Sequence, residues 1–328
     1  MGKKRIILAV TVDTECDKGE SWKVRQPLSF QNILIGVKNN LQPVFDRHNV
    51  KATYLLSPEV ISDSKSANYF RSLGNLVELG THLHSEFIEP QATFDSDNTD
   101  HYQSDFPLEV EFEKLKNLTE LFHKTFGYKP TSFRAGRFAL SHDTLRQLQE
   151  LGYWVDSSVT PDIMWKNSNG NSINFFGAPY QPYFPSLRDF RKNGSLKILE
   201  VPVSTINPIL KNVPLRLKRR VNLKTRYHHF LYNTLTRLIR TLWLRPTFSD
   251  VRAMKRVIEL YMQTVHDERI FLCMMFHSNE YAVGTSPYSL TNDSVKLLKD
   301  RLEQFFTVMK DIYTIQYAGL SEIVRLIQ

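Results

Sequence analysis

The sequence predicts an α/β protein built as a parallel (β/α) barrel, and three observations lead there. Short apolar runs of strand length alternate with amphipathic helical stretches seven or eight times along the 328 residues, an alternation that implies parallel strands. Polar, reactive side chains recur just after those runs, and in parallel barrels the chemistry gathers at the C-terminal strand ends. The composition, 41% hydrophobic and 23% charged without a low-complexity tract, is that of a globular chain with ample length for a core. We read residues 1–328 as a single barrel domain carrying a basic insertion at about 205–248.

The elements follow in order. Lys4–Val12 is the first strand. Its beginning, Met1-Gly2-Lys3-Lys4-Arg5 and then Ile6 to Val10, looks superficially like a signal peptide, but the apolar core spans five residues and runs straight into Thr11-Val12-Asp13-Thr14-Glu15. That is a buried strand rather than a targeting segment. Ser29 is placed to cap a helix over 31–47, with Ile33, Val37, Leu41 and Val44 on its apolar side. Val50–Leu56 is a second strand, a short helix near 67–73 follows, and the third strand, Leu76–Thr81, runs into Gly80-Thr81-His82-Leu83-His84-Ser85-Glu86. Residues 87–106 are polar and loop-like, just where an active-site loop would lie.

Leu108–Phe126 has the 3.6-residue period of a long helix, with Gly127 as its C-cap. A short strand at Thr131-Ser132-Phe133 leads into Arg134-Ala135-Gly136-Arg137-Phe138. A helix over 143–151 and Gly152 precede strand Tyr153-Trp154-Val155, which ends in Asp156-Ser157-Ser158. Ser195–Val203 is the next strand. Ser249-Asp250 cap a helix to about residue 266, Arg269–Phe276 is a strand ending at His277, and a helix over 293–311 and a strand Tyr313–Tyr317 finish the chain.

Charge is unevenly placed. Of the net +8, ten Lys and Arg lie between Glu200 and Asp250, where there is no carboxylate, so the remainder of the chain is near neutral. Within that interval Tyr227, Leu231, Leu235, Leu238 and Leu242 form one helical face and Arg226, Asn233, Arg237 and Arg240 the opposite one, followed by Trp243. An amphipathic, carboxylate-free helix suits an anionic membrane surface, and we expect residues 211–245 to make that peripheral contact. A solvated basic face packing its leucines on the barrel is the alternative; no nucleic-acid partner is expected, because no aromatic-interleaved binding motif appears. No apolar run approaches the roughly 18 residues of a membrane span. Two cysteines, Cys16 and Cys273, give no disulfide framework. The expected location is the cytoplasm, peripherally at the inner membrane face.

His82, His84 and Glu86 alternate, so on an extended strand all three share one face. Imidazole with carboxylate is the donor set preferred by a divalent ion such as zinc. Barrel topology would bring Asp13, Glu15, Arg134, Asp156 and His277 to the same edge. Arg137 and Glu280 are placed to meet substrate, and Gly136 would let backbone approach it.

Five stretches, in this order, resemble the polysaccharide deacetylase family (NodB homology, carbohydrate esterase family four): 11–15, 78–84, 132–138, 155–161 and 275–280. Within it the chain is most similar to the branch associated with lipopolysaccharide and capsule sugars, which the tail Gly284-Thr285-Ser286-Pro287-Tyr288 also fits. The resemblance implies a distorted (β/α) barrel of about seven strands. It implies a metal-dependent hydrolase that removes an N-acyl group, acetyl being expected, from an amino sugar of a cell-surface glycan or of a lipid- or nucleotide-linked precursor. By the same resemblance Asp13 is the general base, Arg134 orients it, His277 is the general acid, and Glu15 and His82 are metal ligands, with Zn2+ the expected ion. Many members place the metal carboxylate where this chain has Thr14, and the second histidine four residues after the first, where it has Glu86. His84, two residues on, is the expected substitute, and the choice between His84 and Glu86 stays open. Removal of a formyl group from a lipid-linked amino sugar and a catalytically silent carbohydrate-binding barrel are the alternatives. A His-x-His amidohydrolase fits poorly, because there the pair belongs on the first strand.

Overall fold

The computed structural model describes residues 5–92, 94, 102–220 and 240–327. Its central strand is β1 (Arg5–Thr14), buried throughout after Arg5, as a parallel strand covered on both faces must be. Ile6, Leu8, Val10 and Val12 pack outward into the large cluster shared with the helices. Ile7 and Ala9 pack into a smaller inner cluster, so by alternation Thr11 and Asp13 face the barrel interior.

Seven strands make one parallel path: β11 (Arg269–His277), β1, β2 (Ala52–Leu56), β3 (Glu78–Leu83), β4 (Ser132–Ala135), β5 (Val155–Asp156) and β8 (Leu199–Glu200). A further strand, β12 (Thr314–Tyr317), pairs with the first half of β1 while β2 takes its second half. Between β8 and β11 the ladder is replaced by isolated bonds, among them Ser204 N–H to the Cys273 carbonyl at 2.9 Å. The result is the distorted parallel barrel that the alternation predicts.

The helices pack outside: α1 (Gln42–His48), α2 (Pro58–Ser62), α3 (Ser64–Leu73), α4 (Leu108–Phe126), α5 (His142–Leu151), α6 (Leu215–Lys218), α7 (Val251–Thr264) and α8 (Asn292–Ile312). Last, α9 (Leu320–Leu326) plugs the inner cluster: Leu320 and Ile323 meet Leu55, Val155, Leu199 and Phe271. Ser321 bonds the carboxylate of Glu78, the first residue of β3, which puts this plug at the end opposite the strand C-termini.

Several expectations change. The helix over 31–47 is two pieces, a π-helical stretch Asn32–Leu41 and then α1. Asp17, not Ser29, satisfies its first amides, accepting from Gln31 N–H at 3.0 Å and Asn32 N–H at 2.9 Å, while Ser29 Oγ donates to the same carboxylate. The strand over 195–203 contracts to β8. An unexpected hairpin, β6 (Met164–Lys166) with β7 (Ser172–Asn174), adds to the rim, and β9 (Thr205–Ile206) pairs antiparallel with β10 (Leu242–Trp243). That last pair closes the base of the basic segment. The amphipathic helix expected near 227–242 falls in residues 221–239, outside the described residues, but its far end is strand, and Trp243 is buried in the aromatic core rather than offered to a membrane. Lys218 and Arg245 are likewise turned inward. No helix among the described residues is long and apolar enough to cross a membrane.

Candidate active site

Strand register builds the site. Asp13 on β1 is paired with His277 on β11, and His82 on β3 with Arg134 on β4, so four polar side chains face inward at the C-terminal edge. Arg134 is fully buried and spends every donor group: Nη1 on Asp13 Oδ1 at 2.6 Å, Nε on the Ser157 carbonyl at 2.6 Å, Nη2 on Ser157 Oγ at 2.8 Å. Burial works to raise the Asp13 pKa, but the Arg134 charge, with His82 and His277, holds it below the usual carboxylate range. Asp13 is thus an oriented, ionised carboxylate.

Glu15 Oε1, His82 Nε2 and His84 Nε2 converge. Their separations are 3.2 Å for Glu15–His82, 3.0 Å for Glu15–His84 and 3.2 Å for His82–His84. Four tetrahedral ligands about 2.0–2.1 Å from zinc stand about 3.3 Å from one another, so these spacings are those of a ligand set. The proton placement agrees. His82 Nδ1 is 2.9 Å from the Arg134 carbonyl, which can only accept, so the lone pair is left on Nε2. His84 Nδ1 faces Glu86 Oε1 at 3.3 Å. Burial works against ionising Glu86, yet His84 and Arg137 hold its pKa far below the usual range, so it also accepts. Each imidazole thus has a carbonyl or carboxylate oxygen behind its Nδ1 and turns its Nε2 inward, the arrangement that orients histidine toward a metal. Once the His84 Nε2 proton is displaced, Glu15 Oε1 and the two Nε2 atoms offer three lone pairs to one cation. The residues present fit a divalent ion.

Lys18, which the sequence reading passed over, stands on the other side of Glu15. Its buried Nζ is 2.5 Å from Oε2, an ion pair between residues three apart in the chain. Burial raises the Glu15 pKa, but His84 and Lys18 bring it well below the ordinary value.

His277 is the exposed member, with 14% of its side chain accessible, and its Nε2 faces Glu15 Oε1 at 3.9 Å. Its Nδ1 lies 3.1 Å from Arg245 Nη2 and 3.4 Å from Glu280 Oε1. The shorter contact has Arg245 donating, which places the ring proton on Nε2, the nitrogen that faces the site. Glu280 is fully buried behind it, bonded to Arg245 at 2.5 Å and to the Thr247 hydroxyl. Burial would raise its pKa, and Arg245 holds it down at about 2. Arg245 belongs to this site rather than to a basic surface; only a tertiary contact reveals it.

Other expected residues are relocated. Glu86 is the partner of His84 and of Arg137, whose Nη2 donates to it at 2.7 Å, so His84 lies in the candidate metal cluster and Glu86 stands behind it. Asp156 does not reach the interior: Val155 and Leu199 pack in the inner cluster, and alternation turns Asp156 and Glu200 to the other face. There Asp156 accepts from Ser158 Oγ at 2.7 Å, and burial together with the neighbouring Asp156 carboxylate drives the Glu200 pKa well above the usual range. Gly136 admits backbone, not substrate, because a Cβ there would lie 2.3 Å from the Leu83 carbonyl. Glu280 is no rim charge. Around the rim runs an arc of rings in contact, Phe138–Trp165–Trp243–Phe248–Tyr288–Trp22, ending edge-on against His277 at 5.1 Å.

No family model matches the chain, and no curated protein matches it. Solved structures do. The chain aligns over 99% of its length with a protein provisionally assigned as a glycoside hydrolase/deacetylase from Parabacteroides distasonis, at 14% identity and a TM-score of 0.61, covering 71% of that chain. It aligns over 99% with the Puue allantoinase at 13% identity and a TM-score of 0.53, covering 90% of that chain. A protein provisionally assigned as a polysaccharide deacetylase from Mycobacterium smegmatis matches at 13% identity and a TM-score of 0.48, with 99% and 91% covered. At such identities the likeness is one of fold, the NodB-like barrel.

Proposed function

We propose that the protein is a metal-dependent amide hydrolase that removes an N-acyl group from an amino sugar. The observation that carries this is the convergence of Glu15 Oε1, His82 Nε2 and His84 Nε2, within 3.2 Å of one another, between an ionised carboxylate, Asp13, and the histidine His277. A divalent ion held there, for which we propose Zn2+, lowers the pKa of a water and polarises an acyl carbonyl. Asp13, kept ionised by Arg134, accepts the proton of the attacking water. As the acid His277 would carry a proton on each ring nitrogen, Nδ1–H donating to Glu280; it passes the Nε2 proton to the departing nitrogen and is left a neutral ring. At the open end of the arc Trp22 and Tyr288 offer apolar faces to a sugar ring.

The five motif stretches are the support for reading the substrate as a cell-surface glycan or its lipid- or nucleotide-linked precursor, of the lipopolysaccharide and capsule branch; acetyl is the proposed acyl group, and formyl would be removed by the same chemistry. The reading includes a single domain with a basic insertion, in the cytoplasm or at the inner membrane face. One observation favours a second reading, a metal-free sugar-binding barrel: Lys18 already gives Glu15 a protein cation. The two separate in one experiment. Metal content and de-N-acetylation are measured for the wild type and Asp13→Asn; the hydrolase reading expects about one ion per chain in both and a turnover lost in the variant. A wild type that takes up no zinc and releases no acetate overturns it.

A further inference from the structure

We propose a second site, apart from the metal cluster, that binds a phosphate or diphosphate group. It is an open cavity of about 720 Å³ between the loop after the Gly136–Phe138 turn, the β6–β7 hairpin, residues 188–191 and the end of α6. Arg188, Arg191, Arg219 and Arg220 all line it, against the one carboxylate of Asp189. That carboxylate is already occupied: Arg191 Nε donates to it at 2.9 Å and Lys192 Nζ is 3.5 Å away. The side chains of Arg188 and Arg220 make no hydrogen bond or ion pair among the described residues. Among the described residues Arg219 donates only to the Arg191 carbonyl, and its buried Nε has no partner. Three guanidinium groups thus line one cavity without a carboxylate partner among the described residues.

The arginines are held there. Lys218 Nζ is buried and bonded to Asp162 Oδ1 at 2.8 Å and Tyr180 Oη at 2.7 Å, which fixes the end of α6. Gly177, at φ +78, lies so close that a Cβ would come within 2.5 Å of the Leu215 carbonyl and 2.6 Å of Arg219 Cγ. Crowding like charges on a pinned segment costs free energy that a bound anion returns. Planar forks with several donors match the tetrahedral oxygens of a phosphate better than a single carboxylate. The volume exceeds one phosphate, and Leu140 and Phe190 on the wall give an organic remainder somewhere to lie. The site does not depend on the hydrolase reading.

The test is titration calorimetry of the full chain with inorganic pyrophosphate, with citrate as a carboxylate of comparable charge. We expect pyrophosphate to bind and the double variant R188Q/R220Q, both surface positions, to bind it about tenfold more weakly or worse, as loss of two charge-assisted contacts requires. R252Q/R256Q on α7, equal in charge change, is expected to bind as the wild type does. Co-sedimentation with phosphatidylcholine vesicles, with or without phosphatidic acid, then identifies the source. Binding that needs phosphatidic acid and is lost in R188Q/R220Q assigns the phosphate to a lipid headgroup; pyrophosphate binding without vesicle binding assigns it to a soluble phosphoester. No pyrophosphate binding by the wild type, equal binding of citrate, or equal weakening in both double variants overturns the proposal.

Discussion

Glu86 stands behind His84 because β3 ends at Leu83 and the chain turns at Ser85–Phe87. The alternation that puts three side chains on one face stops after the second. Glu86→Gln keeps a hydrogen-bond acceptor but loses the charge that aims and enriches the imidazole, and zinc affinity is expected to fall about 10–100-fold, read by chelator competition. His82→Ala is expected to abolish tight binding. Without an ion His84 takes the proton instead: burial would lower its pKa, but Glu15 draws it above the ordinary value. Protons and metal therefore compete for Nε2, and zinc affinity should fall as pH drops through that raised pKa; affinity flat between about pH 8 and 5 would contradict it. Arg134→Met strands Asp13 as a buried charge, an expected loss of about 3–5 kcal/mol in denaturant unfolding. Asp13→Asn added to it should recover part of that loss.

At the scale of elements, the contact between β3 and β4 sets the metal cluster. Gly136 follows β4 and touches the Leu83 carbonyl, and its hypothetical Cβ also meets His84 Cδ2 at 3.3 Å. Gly136→Ala should push the two strand ends apart and weaken zinc binding more than it lowers Tm, which parallel titration and melting will show. The segment after β3 is held by Lys114 of α4, whose buried ammonium donates to the carbonyls of Ser85 at 2.8 Å and Ile88 at 2.7 Å. Burial there brings its pKa down to about 8. Lys114→Met leaves those carbonyls without their donor, and faster amide exchange over 85–91 is the expected signature.

For the whole molecule, the carboxylates of the site link stability to acid. Asp13, Glu15 and Glu280 all have native pKa values below their ordinary ones. Each contributes stability present above the unfolded pKa of about 4 and lost as pH falls through the native value. Denaturant midpoints should hold at neutral pH and drop from about pH 4 downward, Glu280 completing its loss near its value of about 2. At the opposite end, Leu320→Ala in the α9 plug opens a cavity in the inner cluster and is expected to cost about 2–5 kcal/mol while leaving zinc affinity unchanged.

Local pattern determined much of this protein. Apolar runs alternating with 3.6-residue periodicity fix a parallel barrel, Leu108–Phe126 with Gly127 is a helix by its own residues, and strand ends fall at Asp13, His82, Arg134 and His277. These depend on near neighbours in the chain, which is why they are legible. Tertiary structure decided what distant groups do to one another. Lys18 becomes a site residue through its contact with Glu15, Arg245 becomes the donor behind His277 although it sits in a basic stretch, and Asp17 displaces Ser29 as a cap. Asp156 has the sequence setting of a site residue yet faces out of the barrel, since the parity of a two-residue strand is set by its neighbours' packing. Hydrogen bonds and ion pairs form between atoms a few ångströms apart in space, a separation the order of residues does not encode.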